Sequence, residues 1–294
     1  MSVQLLIQQL INGVSIGGIY ALMATGYALI YSLLGFSNWA HGDVAMVGAY
    51  IGVLSLTAGA MPFWVAVIVA VLGAGLVSIL NERLAYRRIR NNNSPTMFLM
   101  IAAMGLSVTL QNAILVIVGP KFKTYPQIVP VKAVALGEIK IGTLDLLSLG
   151  IAALALVALT FLINRTKFGL AVKAAASDMQ VASLLGINVD KYIGLVFGLA
   201  GCLAGVAGVL LGMKYTVYPQ MGNVALKAFI ASVFGGLGSV PGAIVGALAI
   251  GIMEVLVSGY VHAGMRDLFT FSLLVAILLV RPKGLFGKNV EEKA

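Results

Sequence analysis

The chain has 294 residues, of which 60% are apolar and 10% charged. A water-soluble domain holds roughly 45–50% apolar and about 25% charged residues, so too little polar surface remains here to face water. The net charge of +9 would suit nucleic acid in a soluble protein, but Lys and Arg lie mainly in short loops between apolar runs, where they set membrane orientation. Nucleic acid is excluded as a partner, and the lipid bilayer is the expected surrounding.

Charge-free windows run over 1–42, 44–81, 91–120, 146–164, 192–213 and 228–253. A spanning helix needs about 20 apolar residues for a hydrocarbon core about 30 Å thick. The windows are continuous in Leu, Ile, Val, Ala and Gly rather than alternating, which rules out a transmembrane β-barrel. The expected class is an all-α polytopic integral membrane protein, one transmembrane domain over 1–294 with eight to nine segments.

Three segments, 5–34, 36–58 and 62–81, precede the basic cluster Arg83, Arg87, Arg88 and Arg90. The N-terminal stretch lacks a basic n-region and a cleavage site, so it reads as part of the mature chain. Segments 95–119 and 145–163 follow and lead to Arg165. The positive-inside rule makes both basic regions cytoplasmic, together with Arg281 beside Lys283 and Lys288, and puts the loop 120–144 outside; three full crossings put the N-terminus outside too, and a re-entrant piece among them would reverse that. That loop carries Lys121, Lys123, Lys132 and Lys140 against the rule. Its stretch Val131–Ile141 alternates around Leu136-Gly137, as a small hairpin or an irregular loop.

The cytoplasmic stretch 164–191 is Ala-rich, helix-prone and closed by Gly186, a residue suited to a helix C-cap. Met179, Ala182 and Leu185 share one face there, suited to a membrane surface or to a partner's groove. Segments 192–213, 223–236, 240–258 and 267–280 complete the chain. The second and fourth hold 14 residues, only about 21 Å, so half-helices are expected among them. The run Gly235-Gly236-Leu237-Gly238 followed by Pro241 marks a break, and irregular backbone at membrane depth survives only inside protein or along a cavity.

At an offset of 200, Ala28, Ile30, Ser32, Gly35, Gly42 and Ala49 coincide with Ala228, Ile230, Ser232, Gly235, Gly242 and Ala249. These identities point to an internal two-fold repeat, a common design of transporters. Glycines recur four residues apart at Gly13 and Gly17, Gly201 and Gly205, Gly208 and Gly212, and Gly238, Gly242 and Gly246, a spacing that lets helix backbones approach closely. Such faces suit packing within the chain or against a second subunit. The lone Cys202 has no disulfide partner and no metal-ligand companions, and reads as a small packing residue.

Polar groups inside apolar runs are costly and therefore informative. Asn38, His41 and Asp43 form the densest cluster. They could line a substrate route, or serve structure, with Asn38 or Asp43 capping a restarted helix and His41 bonding a carbonyl. Asn12, Ser15, Tyr20, Gln111 and Asn112 suit hydrogen bonding between helices. Glu254 is placed near an interface. The candidate pathway set is Asn12, Ser15, Asn38, His41, Asp43, Gly235 and Gly238, with no catalytic residue and no metal.

The blocks Asn12-Gly-Val-Ser-Ile-Gly-Gly-Ile-Tyr-Ala-Leu22, Asn38-Trp-Ala-His-Gly-Asp43, Ala182-Ser-Leu-Leu-Gly-Ile-Asn-Val-Asp190, Gly235-Gly-Leu-Gly-Ser-Val-Pro-Gly242 and Arg281-Pro-Lys-Gly-Leu-Phe-Gly287 resemble, in order along nearly the whole chain, the LivH-type permeases of branched-chain amino acid ABC importers. The resemblance implies a bacterial inner-membrane permease subunit, itself no enzyme. Its implied partners are a second, LivM-like permease, two ATP-binding cassette subunits that carry ATP-Mg, and a periplasmic substrate-binding protein. The absence of a GxxxxGK[ST] loop agrees with hydrolysis on another subunit. By the same resemblance Asp178, Ala182, Leu185, Gly186, Ile187 and Asn188 belong to the segment that couples to the ATPase. Ala175 and Ala176 stand where polar residues would be expected, which implies fewer salt bridges there. Loop 120–144 is a candidate dock for the binding protein. Urea, short amides and aromatic acids remain alternatives to branched-chain amino acids. The competing class is a secondary transporter moving protons on His41, Asp43 or Glu254.

Overall fold

The computed structural model describes residues 3–92, 94–127, 133–136 and 139–287. Its helices in chain order are α1 (Val3–Leu34), α2 (His41–Thr57), α3 (Phe63–Asn81), α4 (Arg87–Asn91), α5 (Thr96–Ile117), α6 (Thr143–Arg165), α7 (Lys167–Ser177), α8 (Met179–Leu184), α9 (Val189–Lys214), α10 (Ala225–Gly235), α11 (Val240–Tyr260) and α12 (Arg266–Val280). A π-helical turn, Glu82–Tyr86, joins α3 to α4 without a break, and a 3₁₀ turn, Met221–Val224, leads into α10. Among the described residues, seven helices are long and apolar enough to cross a membrane. The 17-residue α2 and the short α10 complete nine segments.

The two short segments resolve differently. The 3₁₀ turn Ala263–Met265 extends α12 to 18 residues, a length that suffices for a crossing. Segment 223–236 stays a half-helix, because α10 has 11 residues, about 17 Å at 1.5 Å each.

Helix α1 is the axis of the fold, with 94% of its apolar window buried, against 6% for α5 and for α12, which form the rim. It runs antiparallel to α11, and the two backbones touch through small residues: a methyl group on Gly251 would collide with Gly17, and one on Gly13 with Ile252. The α9 glycines do the same, Gly201 and Gly205 against Ser78 and Ala74 of α3, and Gly208 against the Ala45 carbonyl of α2. The glycine faces therefore pack within the chain. Cys202 lies in the same seam, its Sγ filling the space beside Gly75.

The basic regions gather at one end. Arg87 and Arg90 reach Asp190 at 2.8 and 2.6 Å, joining the end of α3–α4 to the start of α9. At the opposite end Lys214 pairs with Asp145 at 2.5 Å, and Ser15 donates to the same carboxylate at 3.0 Å. Loop 120–144 leaves this end. Its second half is an antiparallel hairpin, β1 (Ala133–Leu136) with β2 (Ile139–Gly142), in the register Leu136↔Ile139. Its first half folds inward: Lys123 and Val217 exchange backbone bonds of 2.9 and 2.8 Å, and the Tyr125 hydroxyl donates to the Ala49 carbonyl at 2.8 Å. Residues around Tyr125 are thus part of the body rather than a free docking surface.

The proposed repeat survives in local shape only. α1 ends before Gly35 (φ 65°) and α10 before Gly236 (φ 110°), one position beyond the Gly235 that the offset pairs with Gly35, and a helix restarts after each. Helices α10 and α11 pack as a tight hairpin in which Gly235 presses on Gly242 and Gly246 on Ala231, whereas α1 and α2 diverge and α2 packs on α3 and α9.

Gly251→Leu is expected to destabilise the protein by about 1–3 kcal/mol through overpacking. Gly150→Leu, at a helical position with open space around it, should be neutral or slightly stabilising. Thermal unfolding in detergent of the two variants checks the contrast.

Candidate functional site

The candidate pathway residues fall in three places. Asn12 is half-buried and Ser15 buried on α1 near the end where Ser15 bonds Asp145. Asn38, His41 and Asp43 lie together at the start of α2. Gly235 and Gly238 belong to the α10–α11 turn. That turn is packed rather than open: Leu285 and Phe286 donate to the Phe234 and Gly235 carbonyls at 2.9 Å each, and Gly284 sits against Gly236. The C-terminal Arg281–Gly287 block is therefore the turn's lid. The positive φ of Gly238 (84°) explains its glycine.

The Asn38 cluster occupies the junction of the two broken segments. Asn38 is 2% exposed. Its Oδ1 accepts from the Tyr86 hydroxyl at 2.7 Å and from the Ala40 backbone at 3.2 Å, which holds the chain at its restart. The π-helical turn aims Tyr86 at this point, consistent with the way one extra residue per turn redirects a side chain. Neither Asn38 nor Asp43 caps α2 as its N-cap residue, since that position is Ala40.

His41 is fully buried. Neither ring nitrogen has a partner in hydrogen-bonding geometry, although the Met23 carbonyl lies near the ring. An unpaired buried donor or acceptor costs roughly 1–3 kcal/mol. The ring meets Tyr27 edge-on at 4.7 Å, and Tyr27 in turn meets Phe229 of α10 at 5.6 Å; Trp39 lies 6.1 Å from Phe229. Gly26 leaves room for the imidazole that any side chain would take away.

Asp43 is 3% exposed and accepts from Gln111 Nε2 of α5 at 2.9 Å. The Ser107 hydroxyl, one turn earlier on α5, donates to the same carboxylate. Gln111 stands 15 residues, about 22 Å, from the start of α5, so the carboxylate lies at membrane depth. Gly42 and Gly222 touch backbone to backbone here, bringing the start of α2 against the 3₁₀ turn that leads α10. Asn112 bonds the Val108 carbonyl of its own helix and remains exposed.

Glu254 is buried inside the protein, in a group that reaches the exposed first turn of α12. It is 5% exposed, pairs with Lys227 of α10 at 2.5 Å and accepts from Tyr20 of α1 at 2.9 Å, while Lys227 also reaches Asp267 at 3.0 Å. Lys227 is the residue that sequence reading missed, because an isolated lysine beside a half-helix looks like an interfacial charge.

The chain matches the family model described as the branched-chain amino acid transport system / permease component over residues 9–278. It belongs to that family. It is 39% identical to the high-affinity branched-chain amino acid transport system permease protein LivH of Escherichia coli (strain K12) over 98% of this chain and 97% of that one. It is 38% identical to the corresponding permease protein BraD of Pseudomonas aeruginosa over the same shares. A probable LivH of Methanocaldococcus jannaschii is 30% identical over 90% of this chain. With seven apolar helices and this family, the protein is a multi-pass inner-membrane ABC-transporter permease.

In the stretch 164–191, the expected single helix is two. Asp178 breaks it, and its Oδ1 caps α8 by accepting from the Gln180 and Val181 backbones at 2.8 and 2.9 Å. Asn188 caps α9 by accepting from Lys191 at 3.1 Å, and Gly186 (φ 85°) closes α8. Ala182 points inward at 2% exposed, and Ile187 is half-buried. The outward face is Val181, Leu184 and Leu185, at 51%, 88% and 75% exposed, rather than Met179, Ala182 and Leu185. Beside it lies a cleft of about 910 Å³ lined by Arg90, Gln180, Ser183 and Asp190 among others.

Lys227→Met, which strands Glu254, is expected to cost about 3 kcal/mol, while the double change with Glu254→Leu should recover most of it, because removing both charges also removes the burial penalty. Unfolding midpoints of both variants check this.

Proposed function

We propose that this chain is one permease half of an ATP-driven importer for branched-chain amino acids. It assembles with a second, LivM-like permease, two ATP-binding cassette subunits that hold ATP-Mg, and a periplasmic binding protein. The observation that carries the reading is the short cytoplasmic helix α8, which presents Leu184 and Leu185 almost bare. Each large aliphatic side chain left in water forgoes about 1.5–3 kcal/mol, and a helix with an apolar ridge fits a partner's groove. Asp178, Gly186 and Asn188 shape and stiffen that helix rather than meeting the partner through charge. The ion pairs Arg87–Asp190, Arg90–Asp190 and Arg90–Glu82 (3.1 Å) tie its neighbourhood to α3 and α4, a route by which a push on α8 reaches Tyr86 and Asn38. The hairpin of the outer loop is the part left to meet a binding protein. The branched-chain substrate rests on the relatives' names and full-length similarity.

Proton-coupled transport is the weaker reading, since Glu254, one of its three candidate carriers, is held by Lys227.

Purification of the tagged chain from its native membrane in mild detergent, followed by mass spectrometry, should return the two ATPases and the second permease. Recovery of the chain alone, active in uptake on a proton gradient, would overturn the proposal. Within the complex, Leu184→Asp with Leu185→Asp should remove the ATPases while leaving the unfolding midpoint of the permease unchanged, whereas Ala182→Asp should destabilise the permease itself.

A further inference from the structure

Charge pairing inside the body is complete except at one point. Among the described residues Glu82 pairs with Arg90, Asp145 with Lys214, Asp190 with Arg87 and Arg90, and Glu254 and Asp267 with Lys227. Asp178 is exposed and is used as a cap. That leaves Asp43, almost fully buried at membrane depth, with no Lys or Arg partner. Its charge is met only by neutral donors, the Gln111 amide and the Ser107 hydroxyl.

Both donors come from α5, the least buried of the long helices together with α12. Apart from Asp43's own helix, α5 leans mainly on the Glu82–Asn91 stretch. A shift of α5 therefore removes both donors at once and uncovers the carboxylate. The replacement must then be another N–H or O–H donor. A metal ion would need several oxygen ligands, and no group of three or more ligating side chains is found among the described residues. The fully buried imidazole of His41, two residues earlier on α2, is a second polar group at the same junction. An apolar wall of Tyr27, Phe229 and Trp39 adjoins it.

We infer that Asp43 is a transient binding site for the primary ammonium group of a zwitterionic cargo, and that Gln111 occupies the ammonium's place when no cargo is present. The inference rests on the amino-acid importer reading above and assigns the polar half of its recognition. An amide N–H 2.9 Å from the carboxylate and an ammonium N–H make the same bond, but the ammonium also neutralises the charge, which makes the exchange favourable once α5 moves. The aliphatic side chain of the cargo is left to the aromatic wall.

Proteoliposomes holding the complete importer, with its binding protein outside and ATP inside, test this with leucine as cargo and a protonophore present. Asp43→Asn keeps an acceptor for Gln111 and removes only the charge. Leucine moved per ATP should fall about tenfold or more, the weight of one charge-assisted hydrogen bond, with binding-protein-stimulated hydrolysis retained. Asp43→Glu should recover part of the loss, and Gln111→Leu should cost less than Asp43→Asn. If Asp43 merely pins α5, the order reverses, with Gln111→Leu damaging and Asp43→Asn silent, and the inference fails. Wild-type uptake that vanishes with the protonophore would assign Asp43 to protons instead. A wild-type complex that moves no leucine at all would sink the importer reading itself, a result distinct from either.

Discussion

Backbone contact between α1 and α11, glycine against glycine at Gly17 and Gly251, sets the geometry on which the other helices depend. Between apolar helices in lipid there is no hydrophobic drive, so association rests on close packing and a few polar bonds. Removing the side chain at the crossing brings the two axes together and allows α1 to be covered on nearly every side. With α1 fixed, α9 can lie against it, and the glycines of α9 then dock α2 and α3. The rim helices α5, α6 and α12 gather around this centre with mostly apolar outer faces.

A second constraint follows from that tight centre. Two chain segments, 35–40 and 215–224, enter the body without continuous helix, and their backbone groups must be satisfied inside protein. Asn38 and Tyr86 hold the first, and the Lys123–Val217 pairing holds part of the second. Their meeting point, Gly42 against Gly222, brings His41 and Asp43 to one junction, beside aromatic rings and under a loosely held α5. The stretch 164–191 is built in the same economical way, with α7 and α8 broken by a capping aspartate so that one face of α8 turns outward.

The Lys227–Glu254–Tyr20 group shows how a half-helix is stabilised. Helix α10 is too short to span and is anchored at its start by an ion pair to α11 and α12, and at its end by the Leu285–Phe286 strap. A buried ion pair contributes little net stability, but breaking it is costly, so it fixes position. An element held at both ends and packed against His41's neighbours moves as a unit or not at all.

The sequence by itself determined the membrane class, eight to nine segments with ends to within a few residues, and the half-helix before Gly235, because hydrophobic runs and glycine breaks act locally along the chain. It also singled out Asn38, His41 and Asp43, since a polar group in an apolar run is visible without a fold. What only the tertiary structure decided is which polar groups meet. Lys227 neutralises Glu254 and leaves Asp43 without a counter-charge, Tyr125 folds into the body, and Ala182 turns inward while Leu184 faces out. Gly235 packs on Gly242. Pairing and facing depend on residues far apart in the chain, and no local spacing encodes the distance between them.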